Sequence, residues 1–147
     1  LTGSENVWDL YCGAGGLSLF LARQAAKVTG FEISEAAVED ARENAAANGL
    51  ANCFFVAGDL KDAAARTKAA PDVVALDPPR AGLHPDTTAL LARLGAPRVV
   101  YVSCNPSTLA RDLGRLSGRY RVERVTPVDL FPHTPHIECV AELTLAG

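Results

Sequence analysis

The sequence predicts an α/β fold, a doubly wound and mostly parallel seven-stranded sheet whose last strand runs antiparallel. Three observations carry this prediction. Short apolar runs alternate with longer helical stretches five times over. The last two strand-like segments follow one another with no helix between them. A glycine-rich turn joins the first strand to the first helix, where sheets of this kind present backbone N–H groups to a ligand.

Val7 to Tyr11 reads as the first strand and Leu17 to Ala26 as the first helix. Lys27 to Phe31 is the second strand, and Glu35 to Asn48 is an Ala-rich helix stopped by Gly49. Cys53 to Ala57 follows as a strand, then a weakly helical, charged stretch from Leu60 to Lys68. Val73 to Asp77 is β-branched and apolar, and Pro78 and Pro79 end it because proline lacks the ladder donor. Asp86 to Leu94 is helical, Arg98 to Ser103 a strand, and Pro106 to Leu116 a helix with proline in its first turn. Tyr120 to Leu130 and Ile137 to Leu145 alternate like strands and are joined by a turn rich in Pro and His. No repeat, low-complexity tract or linker interrupts the pattern, so one domain over 1–147 is expected.

Composition narrows the function classes. With 48% apolar and 21% charged residues, 12 Gly and 9 Pro, the chain is neither disordered nor collagen-like. No apolar run approaches the roughly 18 residues of a membrane span, and no basic-then-apolar leader is present, so a cytoplasmic location and no membrane partner are expected. Cys12, Cys53, Cys104 and Cys139 show neither CxxC pairs nor zinc spacing and read as reduced thiols. A net charge of -3 argues against a free-standing nucleic-acid binder. The chain has no Met, even at position 1, and its first strand starts within a few residues, so it reads as a piece of a longer chain.

The segment Asp9-Leu-Tyr-Cys-Gly13-Ala-Gly15-Gly16 lies between the first strand and first helix. Glycines serve where N–H groups must approach a ligand closely or take positive φ. The turn lacks the GxGxxG spacing of dinucleotide folds, but Glu32 follows at the end of strand two and Asp59 just after strand three. This ordered set resembles the S-adenosylmethionine site of the Rossmann-like class I methyltransferases. The resemblance implies a cofactor set of Asp9, Gly13, Gly15, Glu32, Asp59 and Asp77. Gly13 and Gly15 would lie near the methionine end, Glu32 at the ribose hydroxyls and Asp59 near the adenine. Cys12, inside the turn, reads as packing.

Asp77-Pro-Pro-Arg80 closes strand four and Ser103-Cys104-Asn105-Pro106 closes strand five. Ligands in such sheets bind outside the carboxyl ends of the strands. An antiparallel strand seven begins on that same edge, bringing Phe131-Pro-His133-Thr-Pro-His136-Ile-Glu138 there as well. A thiol suits one methyl acceptor in particular, the uracil ring. Its C5 is a weak nucleophile until a thiolate adds to C6, and a base must then take the C5 proton. Cys104 and Glu138 match these two roles.

These motifs, with Leu109-Ala-Arg-Asp112, resemble the RNA uracil-5 methyltransferase family over nearly the whole chain. The resemblance implies Cys104 as nucleophile, Glu138 as base and Asp77 as a catalytic residue orienting the uracil, with Arg80 and His133 in supporting positions. Amino-group methyltransferases place an aromatic residue after Asp-Pro-Pro, and RNA cytosine-5 enzymes carry a second cysteine in that loop; Arg80 disfavours both. His133 and His136 read as hydrogen-bonding supports of the turn, with no third residue spaced for a metal. Cys139 falls on the sheet face opposite Glu138 and reads as core. Arg111, Arg115, Arg119, Arg121 and Arg124 form a basic cluster that either meets phosphate or is a solvated face.

The expectation is therefore the catalytic domain of an S-adenosylmethionine-dependent enzyme that makes 5-methyluridine in RNA through a covalent cysteine–C6 adduct. An N-terminal RNA-binding region is expected elsewhere in the same chain. The C-terminal motifs favour ribosomal RNA, 23S in particular, over transfer RNA. A cofactor-binding scaffold without catalysis is the alternative of another class.

Overall fold

The computed structural model describes residues 1–67 and 69–147. The strands are β1 (Asn6–Leu10), β2 (Lys27–Glu32), β3 (Cys53–Ala57), β4 (Val73–Leu76), β5 (Arg98–Ser103), β6 (Tyr120–Val128) and β7 (Glu138–Leu145). The helices are α1 (Gly16–Ala22), α2 (Glu35–Ala47), α3 (Leu60–Arg66), α4 (Pro85–Leu94) and α5 (Pro106–Leu116). The strands form a seven-stranded mixed sheet in the order β3-β2-β1-β4-β5-β7-β6. β7 runs antiparallel to both β5 and β6, as the missing helix before it requires. The chain comprises two compact units, Leu1–Ala75 and Leu76–Gly147.

In the first unit β2 pairs in parallel with β1 and β3, with Asp9 opposite Gly30 and Glu32 opposite Ala57. Buried Val7, Ala22, Ala25, Val28 and Val73 form one core cluster; Cys12, Val38, Ala41, Ala45 and Phe55 form another. Trp8 packs on Phe31 with ring centroids 4.8 Å apart. Each fully buried side chain of this size contributes roughly 1.5–3 kcal/mol.

Helix α1 stops at Ala22, four residues short of the expected Ala26. The amides of Ala26 and Lys27 donate to the Glu5 carbonyl, and Asn52 Nδ2 takes the carbonyls of Ala22 and Ala25. These tertiary bonds override helix propensity. Helix α3 ends at Arg66 because Thr67 is extended and returns its hydroxyl to the Ala63 carbonyl; Lys68, the expected last residue, lies outside the described residues.

In the second unit, Val99, Tyr101 and Ser103 of β5 and Cys139, Ala141 and Leu143 of β7 are buried in alternation. Helix α4 has Pro85 in its first turn and ends on Gly95 in the left-handed conformation. Helix α5 is capped by Asn105, whose side chain accepts from the Ser107 amide, with Pro106 in the first turn. β6 stops at Val128 rather than Leu130 and includes Pro127, which an edge strand tolerates.

Candidate active site

In the first unit the turn after β1 is built around two glycines of positive φ. Gly15, at φ 87°, caps α1 and donates to the Cys12 carbonyl. A Cβ there would lie 2.9 Å from Leu19 Cδ1, 3.1 Å from Phe55 and 3.2 Å from Ala41, so the turn is seated on the core where only glycine fits. Gly13, at φ 52°, is the opposite case: a Cβ there would meet nothing within 4 Å. One glycine closes the turn against the protein, and the other leaves open space beside the turn.

Glu32 ends β2 beside this turn. Its Oε2 accepts from the Gly13 amide at 3.1 Å, and its Oε1 accepts from the amides of Ile33 and Ser34 at 2.8 and 3.0 Å. The carboxylate is thereby oriented at the strand end while remaining half-buried. Ile33 leaves 74% of its surface open. An apolar side chain so exposed next to an oriented carboxylate suits a flat apolar ring, a feature that sequence reasoning missed although an apolar residue after a strand-end acid was its signal. Asp59 is exposed and caps α3, one oxygen accepting from the Lys61 amide at 2.9 Å. Asp9 is fully buried, and its Oδ2 accepts from the Ser18 hydroxyl at 2.5 Å. What Asp9 supplies directly is an anchor tying α1 to β1.

The surroundings of both thiols in this unit favour the neutral form. Burial, reinforced by Asp9 and Glu32, pushes Cys12 up to about 12. Burial, then Asp9, pushes Cys53 up to about 11.

In the second unit the β5–β7 register organises the chemistry. Ser103 pairs with Cys139, and both are buried on one face. Cys104 directly follows Ser103 and Glu138 directly precedes Cys139, so both lie at this end of the β5–β7 ladder, where each is half-buried. Cys104 is a free thiol directly before Asn105, the residue that caps the N-terminus of α5. Asp77 follows β4. It reaches solvent, yet desolvation raises its pKa above the ordinary carboxylate value, and the nearby Glu138 charge adds to the shift. Cys104, Asp77 and Glu138 thus come from three separate segments of one unit.

Two loops are cross-linked here. Arg80 Nη1 lies 3.3 Å from His136 Nδ1, joining the loop after β4 to the loop before β7. His136, read from the sequence as a hydrogen-bonding support of the turn, is the Arg80 partner. His133 instead holds a positive φ of 69° within the turn closed by Thr134, whose hydroxyl donates to the Phe131 carbonyl at 2.7 Å.

Behind the loop after β4 sits Asp112 of α5, fully buried. Its Oδ2 accepts from the Leu83 amide at 2.7 Å and the Tyr101 hydroxyl at 3.0 Å. Its Oδ1 accepts from Arg111 Nε at 3.0 Å and Arg115 Nη1 at 3.2 Å. Burial works to raise its pKa, but the bonds from Arg111, the Leu83 amide and Tyr101 outweigh it and hold the carboxyl below its ordinary range. The basic cluster is therefore largely engaged within the protein: Arg111 and Arg115 with Asp112, Arg121 with Glu123, and Arg124 with Glu142. Among the described residues no group of three or more His, Cys, Asp or Glu is arranged to hold a metal ion, and no helix is long and apolar enough to cross a membrane.

Comparisons with known proteins bear on the family and the fold. The family model described as tRNA (uracil-5-)-methyltransferase matches residues 2–145. An uncharacterized RNA methyltransferase of Nitratidesulfovibrio vulgaris is 50% identical over 151 residues, covering 98% of this chain and 32% of that protein. One from Bacteroides thetaiotaomicron is 48% identical over 149 residues, covering 99% and 33%. The chain thus spans about a third of the length of these relatives. Among solved structures, the Pyrococcus abyssi tRNA (uracil-54, C5)-methyltransferase in complex with S-adenosyl-L-homocysteine superposes with a TM-score of 0.83 at 40% identity, over 98% of this chain and 35% of that one. Precorrin-6y C5,15-methyltransferase of Geobacter metallireducens, at 14% identity and a TM-score of 0.79 over 99% of this chain and 82% of that one, shares the fold.

Proposed function

Because the chain belongs to the tRNA (uracil-5-)-methyltransferase family, we propose that residues 1–147 are the catalytic domain of an enzyme that transfers a methyl group from S-adenosylmethionine to C5 of a uridine in RNA. The observation that carries this reading is the β5–β7 register, which ends on Ser103 and Cys139, the chain neighbours of Cys104 and Glu138, so that the segments bearing a thiol and a carboxylate meet at one end of the ladder. A cofactor-binding scaffold has no use for that pair.

The first unit fits the cofactor. The open space at Gly13, the oriented Glu32 carboxylate and exposed Ile33 suit, in turn, a methionine end, a ribose and an adenine. Asp59 keeps an oxygen beyond its capping bond. When bound, the cofactor supplies an electrophilic methyl carbon.

The chain's own residues do the rest. The Cys104 thiolate forms a bond to uracil C6, and the C5–C6 π pair moves toward the C4 carbonyl. Asp77 orients the ring through its polar edge. C5, held as an enolate carbon by the Cys104 bond, would then be nucleophilic enough to take a methyl group from the sulfonium of a bound cofactor, which would leave as the neutral thioether. Glu138 then accepts the C5 proton; the double bond re-forms and the Cys104 thiolate leaves. The target base must be unstacked from folded RNA to reach this corner.

Ribosomal RNA is the substrate that the C-terminal motifs favour. The family description and the name of the P. abyssi relative favour transfer RNA as a second reading. Incubating the full chain with labelled S-adenosylmethionine and each RNA, then digesting to nucleosides, tests both. The expected product is labelled 5-methyluridine from one RNA. Label in another nucleoside, or in none, contradicts the proposal.

A further inference from the structure

The loop Asp77–Leu83 carries two residues of the corner just described, yet its backbone is held from behind by groups that no step of the reaction uses. Asn105 Nδ2 and Thr108 Oγ1 both donate to the Arg80 carbonyl at 3.3 Å, and Arg111 Nη2 donates to the Ala81 carbonyl at 2.8 Å. The Leu83 amide donates to Asp112. Gly82, between these attachments, has φ 76°, and a Cβ there would lie 2.5 Å from Asp112 Oδ2 and 2.6 Å from Arg111 Nη2. The loop thus presses onto the carboxylate so closely that glycine alone fits. Asp112 also holds Tyr101, itself fully buried in β5, the strand that ends at Cys104.

We propose that Asp112 is a positioning residue for methyl transfer: with Arg111, it fixes the Asp77–Leu83 loop so that Asp77 and Arg80 are held in register with Cys104 and Glu138. A buried ion pair is a poor stabiliser, because desolvation offsets its attraction. What it supplies is a single geometry, and here five bonds from the loop after β4, from β5 and from α5 converge on one carboxylate. The geometry passes onward through Arg80, whose guanidinium meets His136 two residues before Glu138. A displacement of the order of 1 Å at a reacting centre costs roughly 100-fold in rate.

This inference rests on the proposed uridine methylation, and its test keeps the two apart. In the full chain, Asp112→Asn and Gly82→Ala are compared with the unsubstituted protein for kcat, KM for RNA, cofactor Kd and thermal stability. Gly82→Ala pushes the loop off the carboxylate without removing any charge, so it serves even where Asp112→Asn folds poorly. Expected is a kcat lower by roughly 10- to 100-fold in each, with cofactor Kd within about twofold. In a Glu138→Gln background, covalent attachment of RNA to Cys104 should slow by the same factor. The double variant should lose less than the product of the single losses, because both act through one contact. Folded Asp112→Asn or Gly82→Ala protein with kcat within about twofold of the unsubstituted chain overturns the proposal, as does a loss confined to KM. Absence of turnover in the unsubstituted chain would instead refute the functional reading.

Discussion

Ser103 pairs with Cys139 across the antiparallel β5–β7 ladder, and that single pairing decides which side chains share a face at the sheet edge. A register slip of one residue would bury Glu138 with the core and turn Cys139 toward the corner. Burial of Cys139, Ala141 and Leu143 on one face guards against the slip. Core packing in the strands behind them thus brings the segments that carry Cys104 and Glu138 to one end of the ladder.

Glu138→Gln leaves the nucleophile in place and removes the base. The adduct can form and accept methyl, but it cannot lose the C5 proton. A protein–RNA species stable on a denaturing gel should accumulate, with turnover lower by about 100-fold or more. Normal turnover without such a species would show that another group takes the proton.

The two glycines of the turn should respond oppositely to alanine. Gly15→Ala combines positive-φ strain of about 1–2 kcal/mol with overpacking against Leu19, Phe55 and Ala41 of about 1 kcal/mol or more. Gly13→Ala carries only the strain, but its methyl group enters open space beside Glu32. Thermal unfolding should therefore fall further for Gly15→Ala, whereas calorimetry with S-adenosylhomocysteine should show the more selective loss of binding for Gly13→Ala. Equal stability losses with equal affinities would contradict this division.

Asp77 carries a stability signature in pH. Its folded pKa is raised, by desolvation first and Glu138 second, so ionisation disfavours the native state. Any stability advantage of the protonated form is complete below the unfolded carboxylate value of about 3.9 and is lost as pH rises through the folded value. Asp77→Asn should accordingly be more stable than the unsubstituted chain at pH 7, with the difference vanishing near pH 3, while methylation drops. Urea denaturation across pH 3 to 8 checks the sign; a stability gain that grows toward low pH would contradict it.

Much of this was legible in the sequence. Cys53–Ala57, Arg98–Ser103 and Pro106–Leu116 were readable to the residue because proline, glycine or a capping Asn marks at least one end of each or lies close by. The Cys104 and Glu138 assignments rested on placing one motif at a strand end and the other at the start of an antiparallel strand, and the register agrees with that placement. Helix α1 was overextended because nothing local announces that Glu5 and Asn52 will claim its last turn. Asp112 stayed hidden for a similar reason. Its partner Leu83 lies 29 residues away, so flanking arginines that look like a phosphate-binding face turn inward to a buried carboxylate.

The most direct test of the account is to offer the full chain S-adenosylmethionine and RNA in which uridine is replaced by 5-fluorouridine. Fluorine at C5 cannot leave as a proton, so the reaction halts after methyl transfer with the cysteine still bonded to C6. Peptide mass spectrometry after digestion should find a methylated fluorouridine on the peptide containing Cys104, and Cys104→Ala should abolish it while retaining cofactor binding. No covalent species, or one attached to Cys12, Cys53 or Cys139, would contradict the assignment of Cys104 as the nucleophile.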